Sequence, residues 1–245
     1  MERIDHRPFT IERENADTAV LLLHGIVSTP AHFRHLLSQI PETISLYALL
    51  LDGHGGSVED FSHTSMKKWK VQVAQQLEFL CQKYRCIYIV AHSMGTLFAI
   101  NAAVSHPEKV KGLFLLAAPL RPQLPFRTFR TCLQAARGKT NPQVTLLRND
   151  VSVCMQGPLY RYLGWIPRFL EFFALVRQTR KVLPQLTTPT KAFQSHTDEL
   201  VRLRAANDLK TNPIIQTTIL YGSGHFAYSE EDTALLRREL KNLLI

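Results

Sequence analysis

The stretch CIYIVAHSMGTLFAI at residues 86–100 decides the fold, because it places one serine between a strand-like run and an apolar helix. Its first six residues are rich in β-branched and aromatic side chains, which favours a strand, and the apolar pattern after the serine stops before Pro107, as a helix does. Ala91 and Gly95 lie two residues on either side of Ser93. Small residues at these positions are typical of a nucleophile elbow. The alternative is a serine that only caps the following helix.

Outward from this turn, short apolar runs alternate with amphipathic runs, which is typical of β-α-β units around a buried parallel sheet. We therefore predict an α/β fold, with a mostly parallel sheet flanked by helices. The predicted strands are RPFTIER, AVLLLHG at 19–25, SLYALLL at 45–51, CIYIVA at 86–91, VKGLFLLAA at 110–118, PTKAFQS at 189–195 and IIQTTILY at 214–221. The predicted helices are AHFRHLLSQI after Pro30, residues 66–84, MGTLFAINAAVSH, LVRLRAANDL and DTALLRRELKNLLI.

One segment interrupts this alternation. Residues 119–185 hold seven of the thirteen prolines, and they carry eleven Lys or Arg against two Asp or Glu. Their surplus of nine positive charges equals the net charge of the whole chain, +9. We therefore predict a core formed by residues 1–118 and 186–245, with an inserted helical cap at 119–185.

The residues after the last two predicted strands are candidates for an acid and a base. A serine hydroxyl becomes a nucleophile when a histidine takes its proton and a carboxylate orients that histidine. On a sheet with a nucleophile elbow, the chain order is serine, acid, histidine. Asp198 follows PTKAFQS and His225 follows IIQTTILY, so we predict a triad of Ser93, Asp198 and His225. Glu199 is the alternative acid, and an N-cap role is the alternative for Asp198.

An oxyanion hole needs two backbone N–H groups, one after the nucleophile and one from the loop after an early strand. Met94 and Ile26 stand at these positions. We interpret His24 as a residue that braces the loop. Asp52 and His54 lie in a glycine-rich turn, where a lone Asp and His more often form a hydrogen-bonded loop than a metal site. No metal and no other cofactor is predicted.

Three features of the sequence argue against a secreted protein, a membrane-spanning protein and a protein built on disulfides or zinc. The N-terminal residues contain no continuous apolar stretch that could serve as a signal peptide, and no segment approaches the ~20 apolar residues that cross a bilayer. The cysteines form no C-x-x-C pair, so we expect reduced, packed thiols rather than disulfides or zinc ligands. They are Cys81, Cys86, Cys132 and Cys154. We expect a cytoplasmic protein.

The segments LLLHGIVSTP, LLDGHGGSVEDF, HTSMKKW, VAHSMGT, SHTDELV and SGHF span nearly all of the predicted core. In these segments and in their order, the chain resembles α/β-hydrolases of the carboxylesterase and monoacylglycerol lipase group. The resemblance implies that a small-molecule ester, either a short or medium acyl ester or a monoacylglycerol, is hydrolysed through an acyl-enzyme by the residues named above. Ala91 departs from the glycine usual in the family. The segment at 119–185 matches the family only in position and size, so no substrate preference is implied.

The predicted cap has two features with two interpretations each. Six aromatic residues lie within 159–176; they could form an apolar pocket for an acyl chain, or they could only pack the cap onto the core. The basic surplus could be a solvated face, or it could contact an anionic lipid surface or an anionic substrate. No nucleic-acid-binding motif accompanies these charges, so nucleic acid is not a predicted partner.

Other functions are compatible with the same residues. A thioesterase or acyltransferase is the first alternative, because the phosphate-bearing carrier of a thioester would suit a basic cap. A non-catalytic ligand receptor that keeps the hydrolase fold is the second. Hydrolysis of a carbon–carbon bond is the third, since one fold can host several reactions.

Overall fold

The computed structural model describes residues 6–124, 126–139 and 158–245. The strands in these residues are β1 (Phe9–Ile11), β2 (Thr18–Leu23), β3 (Ser45–Leu49), β4 (Cys86–His92), β5 (Val110–Leu116), β6 (Thr190–Ser195) and β7 (Ile215–Leu220). They form one sheet in the order β1-β3-β2-β4-β5-β6-β7. Only β1 is antiparallel to its neighbour; the other pairs are parallel. The predicted α/β fold with a mostly parallel sheet is confirmed.

Helices cover both faces of this sheet. They are α1 (Val58–His63), α2 (Met66–Lys83), α3 (Met94–Ser105), α4 (Phe126–Ala136), α5 (Trp165–Val182), α6 (Ala205–Lys210) and α7 (Glu230–Leu244). Side chains of β2 alternate between the two faces. Leu21 and Leu23 belong to a hydrophobic cluster with α2 and α3, whereas Val20 and Leu22 belong to a second cluster with α7. The sheet is therefore buried on both faces, as near-continuous apolar strands require.

The helix predicted after Pro30 has a different form. Residues Pro30–His35 and Leu37–Gln39 are two short 3₁₀ helices, in which Leu36 donates its N–H to the carbonyl of Phe33, three residues back. Pro41 follows closely and limits the length over which an α-helix could propagate.

The helix predicted for LVRLRAANDL is also shorter than expected, since α6 begins only at Ala205. Val201 forms an isolated antiparallel bridge with Pro122. On either side of that bridge, Gln123 donates its N–H to the carbonyl of Leu200, and Arg202 donates to Arg121. These long-range bonds hold the backbone in an extended conformation, so tertiary structure overrides the local helical pattern.

The predicted cap at 119–185 is partly described. It contains α4, a 3₁₀ helix at Leu159–Gly164, α5, and a 3₁₀ helix at Leu183–Gln185. Residues 140–157, with Cys154, lie outside the described residues. The described cysteines, Cys81, Cys86 and Cys132, are free thiols. Within the described ranges, no helix combines the length and the apolar character that crossing a bilayer needs.

Candidate active site

Ser93 lies in the sharp turn between β4 and α3, with φ 50° and ψ −124°. This left-handed backbone conformation is strained for a residue other than glycine. Gly95 makes the turn sterically feasible, because an added Cβ there would collide with the carbonyl oxygen of Leu23. Ala91 is fully buried in β4. A methyl group therefore fits where the family usually has glycine, and the small-residue requirement of the turn is met.

The structure brings Ser93, Asp198 and His225 together, although 132 residues separate the serine from the histidine. Ser93 Oγ lies 3.1 Å from His225 Nε2. On the other side of the ring, His225 Nδ1 lies 2.9 Å from Asp198 Oδ2 and 3.0 Å from Oδ1. The carboxylate can only accept, so we assign the proton of a neutral His225 to Nδ1. Nε2 is then free to accept the proton of Ser93.

The two neighbouring acids occupy different positions. Asp198 is buried, and its Oδ1 accepts the backbone N–H groups of Leu200 at 2.7 Å and Val201 at 2.8 Å. Glu199 is exposed, and its Oε2 accepts the backbone N–H of His225 at 3.0 Å rather than a ring nitrogen. The structure thus places Asp198 against the imidazole and Glu199 against the main chain of the same loop. The N-cap alternative for Asp198 does not apply, because α6 begins at Ala205.

The loop after β2 forms a β-turn at Gly25–Ser28, closed by a 3.2 Å hydrogen bond from the N–H of Ser28 to the carbonyl of Gly25. An added Cβ at Gly25 would lie 2.8 Å from Ser93 Cβ, so glycine permits this close approach. In the described part of the chain, the Ile26 N–H has no hydrogen-bond acceptor. Met94 is the first residue of α3, where backbone N–H groups have no partner within the helix. Neither predicted oxyanion donor therefore has a hydrogen-bond acceptor among the described residues.

Two buried histidines connect this turn to the loop after β3. His24 Nδ1 contacts the carbonyl of Gly25 at 2.8 Å, and its Nε2 accepts the N–H of Leu51 at 3.0 Å. His54 Nε2 accepts the N–H of Val27 at 3.0 Å. Burial lowers the pKa of His24 well below its usual value, and burial lowers the pKa of His54 to about 4. Both rings are therefore neutral and can accept through Nε2. The loop role predicted for His24, and the hydrogen-bonded loop predicted around His54, agree with this arrangement.

A second group of histidines packs against the His225 ring. His92 Nε2 lies 3.0 Å from the carbonyl oxygen of His225, and the His92 ring packs on His32 at 3.9 Å between centroids. Burial, reinforced by neighbouring histidines, lowers the pKa of both His92 and His32 well below the usual value. Sequence reasoning missed this group, and its one signal in the sequence was that His92 directly precedes Ser93, the predicted nucleophile.

Helix α5 attaches the described part of the predicted cap to the core. Trp165 is buried, packs on Phe61 at 4.6 Å between ring centroids, and donates its indole N–H to the carbonyl of Val58 at 3.0 Å. Further along α5, Glu171 accepts the backbone N–H of Met66 at 2.9 Å. Most of the six aromatic residues within 159–176 thus pack towards the core. Four of them are buried or partly buried, namely Tyr162, Trp165, Phe169 and Phe172. Tyr160 and Phe173 remain exposed.

Comparison with known proteins supports the same architecture. A family model described as serine aminopeptidase, S33 (Hydrolase_4), matches residues 14–221. The chain belongs to this family. This Hydrolase_4 member is 24% identical over 215 residues to a carboxylesterase of Bacillus subtilis (strain 168), covering 84% of this chain and 82% of the relative. It is 25% identical over 194 residues to a thermostable monoacylglycerol lipase of Bacillus sp. (strain H-257), covering 77% and 73%.

The fold of this Hydrolase_4 member is also that of solved enzyme structures. A structure from work on LipS and LipT, two metagenome-derived lipolytic enzymes, superimposes with a TM-score of 0.75 at 17% identity and covers 97% of both chains. At this identity the likeness concerns the fold alone. The family match and the two Bacillus relatives place the chain among the α/β-hydrolases of the carboxylesterase and monoacylglycerol lipase group.

Proposed function

We propose that this protein hydrolyses carboxylic esters, with Ser93 as nucleophile, His225 as base and Asp198 as the acid that orients His225. The observation that carries the proposal is the continuous contact from serine to imidazole to carboxylate, at 3.1 Å and 2.9 Å. The relatives named as a carboxylesterase and a monoacylglycerol lipase support ester substrates.

In the proposed first step, His225 Nε2 takes the proton of Ser93 while Oγ attacks the ester carbonyl. The carbonyl oxygen becomes negative and accepts the N–H groups of Ile26 and Met94. Asp198 stabilises the imidazolium that forms. The imidazolium then returns its proton to the leaving alcohol, and the acyl group stays on Ser93.

In the second step, His225 takes a proton from water, and the water oxygen attacks the acyl-enzyme carbonyl. Collapse of the tetrahedral intermediate releases the carboxylic acid, and the imidazolium reprotonates Ser93. Atoms balance over the two steps: one ester and one water give one alcohol and one acid.

The charge of the predicted cap distinguishes ester hydrolysis from the aminopeptidase activity in the family description. An aminopeptidase binds a positively charged amino terminus. Residues 119–185 carry eleven Lys or Arg and two Asp or Glu, and a positively charged segment repels cations. We therefore favour neutral or anionic esters, namely short or medium acyl esters or monoacylglycerols, over peptides.

The exposed face of α5 supports contact of the cap with an anionic lipid surface. Ile166, Leu170 and Phe173, at 54%, 63% and 43% exposure, lie at i, i+4 and i+7 and so share one face. The last turns of the same helix expose Arg177 and Lys181. An apolar face flanked by cations is typical of helices that lie on anionic membranes. Co-sedimentation with vesicles tests this contact by comparing purely neutral lipid with a mixture that contains about 30% anionic lipid. Binding that depends neither on lipid charge nor on salt concentration would contradict the contact.

The decisive experiment is hydrolysis of p-nitrophenyl esters of increasing acyl length, with Ser93→Ala as the matched control. We expect turnover with a chain-length optimum in the parent protein, and a loss on the order of a million-fold in kcat in the variant. A folded parent protein that hydrolyses no ester of any length would overturn the proposal.

Acyl thioesters belong in the same series, because the basic cap would also attract the phosphates of a thioester carrier. A preference for the thioester would favour the thioesterase alternative. Stoichiometric labelling of Ser93 by a fluorophosphonate, without turnover of either substrate, would favour a ligand receptor that has kept the site.

A further inference from the structure

The turn at Gly25–Ser28 contains a conformation that its sequence does not favour. Val27, the third residue of the turn, has φ 48°, whereas Ile26 is not among the residues with positive φ. A positive φ at the third position defines a type II turn, for which glycine is preferred. Valine is branched at Cβ, so this conformation is strained. Without an external partner, the turn would relax towards type I, in which φ of its third residue is negative.

The type I and type II turns differ by a rotation of the peptide between Ile26 and Val27. This peptide directly follows the N–H group that we assign to the oxyanion hole. A rotation would change ψ of Ile26 and reverse the adjacent carbonyl dipole. The Ile26 N–H itself belongs to the preceding peptide, so the rotation would act on this donor through the backbone next to it and through the reversed dipole. The electrostatic surroundings of the oxyanion donor therefore depend on what holds the Ile26–Val27 peptide.

His54 holds this peptide from the loop after β3. Its Nε2 accepts the Val27 N–H at 3.0 Å. Its Nδ1 faces only carbonyl oxygens, those of Leu51 at 3.1 Å and Asp52 at 3.3 Å, so we assign the ring proton to Nδ1. This tautomer leaves the Nε2 lone pair directed at Val27. If the peptide rotated, a carbonyl oxygen would face that lone pair, which is unfavourable.

The His54 ring is itself fixed by packing. It is 6% exposed and contacts the rings of Phe61 at 5.2 Å, Trp69 at 5.4 Å and His24 at 4.8 Å between centroids. The acceptor therefore has little freedom to follow a relaxing turn. The side chain does not contact the reacting atoms; it can act only through Val27.

We propose that His54 is a positioning residue of the oxyanion hole: by accepting the Val27 N–H, it keeps the strained turn, and the carbonyl dipole next to the Ile26 N–H, in the conformation that suits an oxyanion at Ser93. The inference rests on the proposed function, because it presupposes that Ile26 stabilises an oxyanion. It gives His54, in the motif DGHG at 52–55, a role in supporting the oxyanion hole from outside the triad.

Three variants and their combinations test this role. His54→Leu removes the acceptor and keeps an apolar side chain of similar size, His54→Gln keeps an acceptor, and Val27→Gly removes the strain. We expect His54→Leu to lower kcat about 10- to 100-fold with little change in KM, which is less than the about 100- to 1,000-fold loss when an oxyanion donor is deleted. His54→Gln should recover most of this loss. In the Val27→Gly background, His54→Leu should cost at most about threefold, because glycine adopts positive φ without strain.

The control is Phe114→Leu, which loosens the hydrophobic cluster on the other face of the sheet, where Phe114 packs on Phe193, and leaves the His54 ring and its contacts unchanged. We expect a lower melting temperature and a kcat within about twofold of the parent protein. Equal kcat in His54→Leu and the parent would overturn the proposal. So would a kcat loss for His54→Leu that is just as large in the Val27→Gly background.

A second readout separates this inference from the proposed ester hydrolysis. The rate at which a fluorophosphonate labels Ser93 also depends on the oxyanion hole, because the phosphoryl oxygen occupies it, yet it requires no natural substrate. If the parent protein is labelled but hydrolyses no ester, the proposed function fails, while the labelling rates of the His54 and Val27 variants still test the positioning role. If labelling is equally fast in all variants, the positioning role fails by itself.

Discussion

Mild acid should destabilise this protein strongly, because several buried histidines are neutral in the folded state. Burial is the main cause that lowers the pKa of His24, His32 and His92 well below the usual value, and that lowers the pKa of His54 to about 4. In the unfolded chain each imidazole titrates near its ordinary pKa of about 6.5. Between these values the unfolded state binds more protons than the folded state, so stability falls as the pH falls.

The magnitude follows from this difference. On lowering the pH from 7.5 to 5.5, one histidine that stays neutral in the folded protein lowers the free energy of unfolding by about 1.4 kcal/mol. The three histidines with nearly inaccessible side chains, His24, His54 and His92, together give about 4 kcal/mol, which is a large share of the stability of a typical domain, about 5–15 kcal/mol. At pH 5.5 most carboxyl groups are still ionised, so this loss comes mainly from imidazoles. For His54 the loss levels off near pH 4, where its folded form also takes up a proton.

Urea unfolding at pH 7.5 and pH 5.5, followed by the fluorescence of the buried Trp69 and Trp165, measures this loss. His54→Gln removes one buried titrating group, so its loss should be smaller by about 1 kcal/mol. His63→Gln is the matched control, because His63 is exposed on α1 and should leave the loss unchanged. A loss below about 2 kcal/mol in the parent protein, or an equal loss in the parent protein and His54→Gln, would refute this reasoning.

Two further predictions concern the triad and the elbow. Asp198→Asn should give a folded enzyme slower by about ten-thousand-fold in kcat, because the imidazole loses the carboxylate that orients it. Glu199→Gln should lower kcat far less, since Glu199 contacts the backbone N–H of His225. Steady-state kinetics on one ester compares the two variants, and the reverse ranking would make Glu199 the acid. Gly95→Ala should lower both the melting temperature and kcat, because its Cβ would collide with the Leu23 carbonyl, and a variant with parent-like activity and stability would contradict the steric argument for the elbow.

The strands and their succession along the chain could be predicted from the sequence, because each buried parallel strand is a continuous apolar run bounded by turn residues. The short helix α1 was missed, although Ser57 and Asp60 form the reciprocal capping box that marks its start. The start of α6 could not be predicted, because the residues before it pair with Pro122, which is about 80 residues away in the chain. Local patterns therefore predict an element where local forces decide it, and they fail where a distant segment competes for the same backbone groups.

The candidate site shows the same division. The residues proposed for the triad follow strand ends, and parallel strands bring their carboxyl ends to one edge, so chain order was sufficient to predict their proximity. The bond from Val27 to His54 spans 27 residues, and that from His92 to His225 spans 133. Neither has a sequence signature, because each depends on how loops pack above the sheet. A lone histidine in a loop looks the same in sequence whether it faces solvent or fixes a strained turn.

In His54, the proposed positioning of the Gly25–Ser28 turn and the sensitivity of folding to acid have one physical cause. A neutral imidazole with its proton on Nδ1 donates from one nitrogen and accepts at the other, on opposite sides of one rigid ring. His54 uses both sides: it contacts carbonyls of its own loop and accepts the N–H of Val27. This connection works only while the ring is neutral, and burial is what keeps it neutral. The same burial makes the folded state unable to accept a proton at pH 5.5, so precise positioning of the Gly25–Ser28 turn and sensitivity to acid follow from one property of the ring. Replacing His54 by glutamine should therefore separate turn positioning from acid sensitivity: the variant should keep much of kcat and lose less stability in acid.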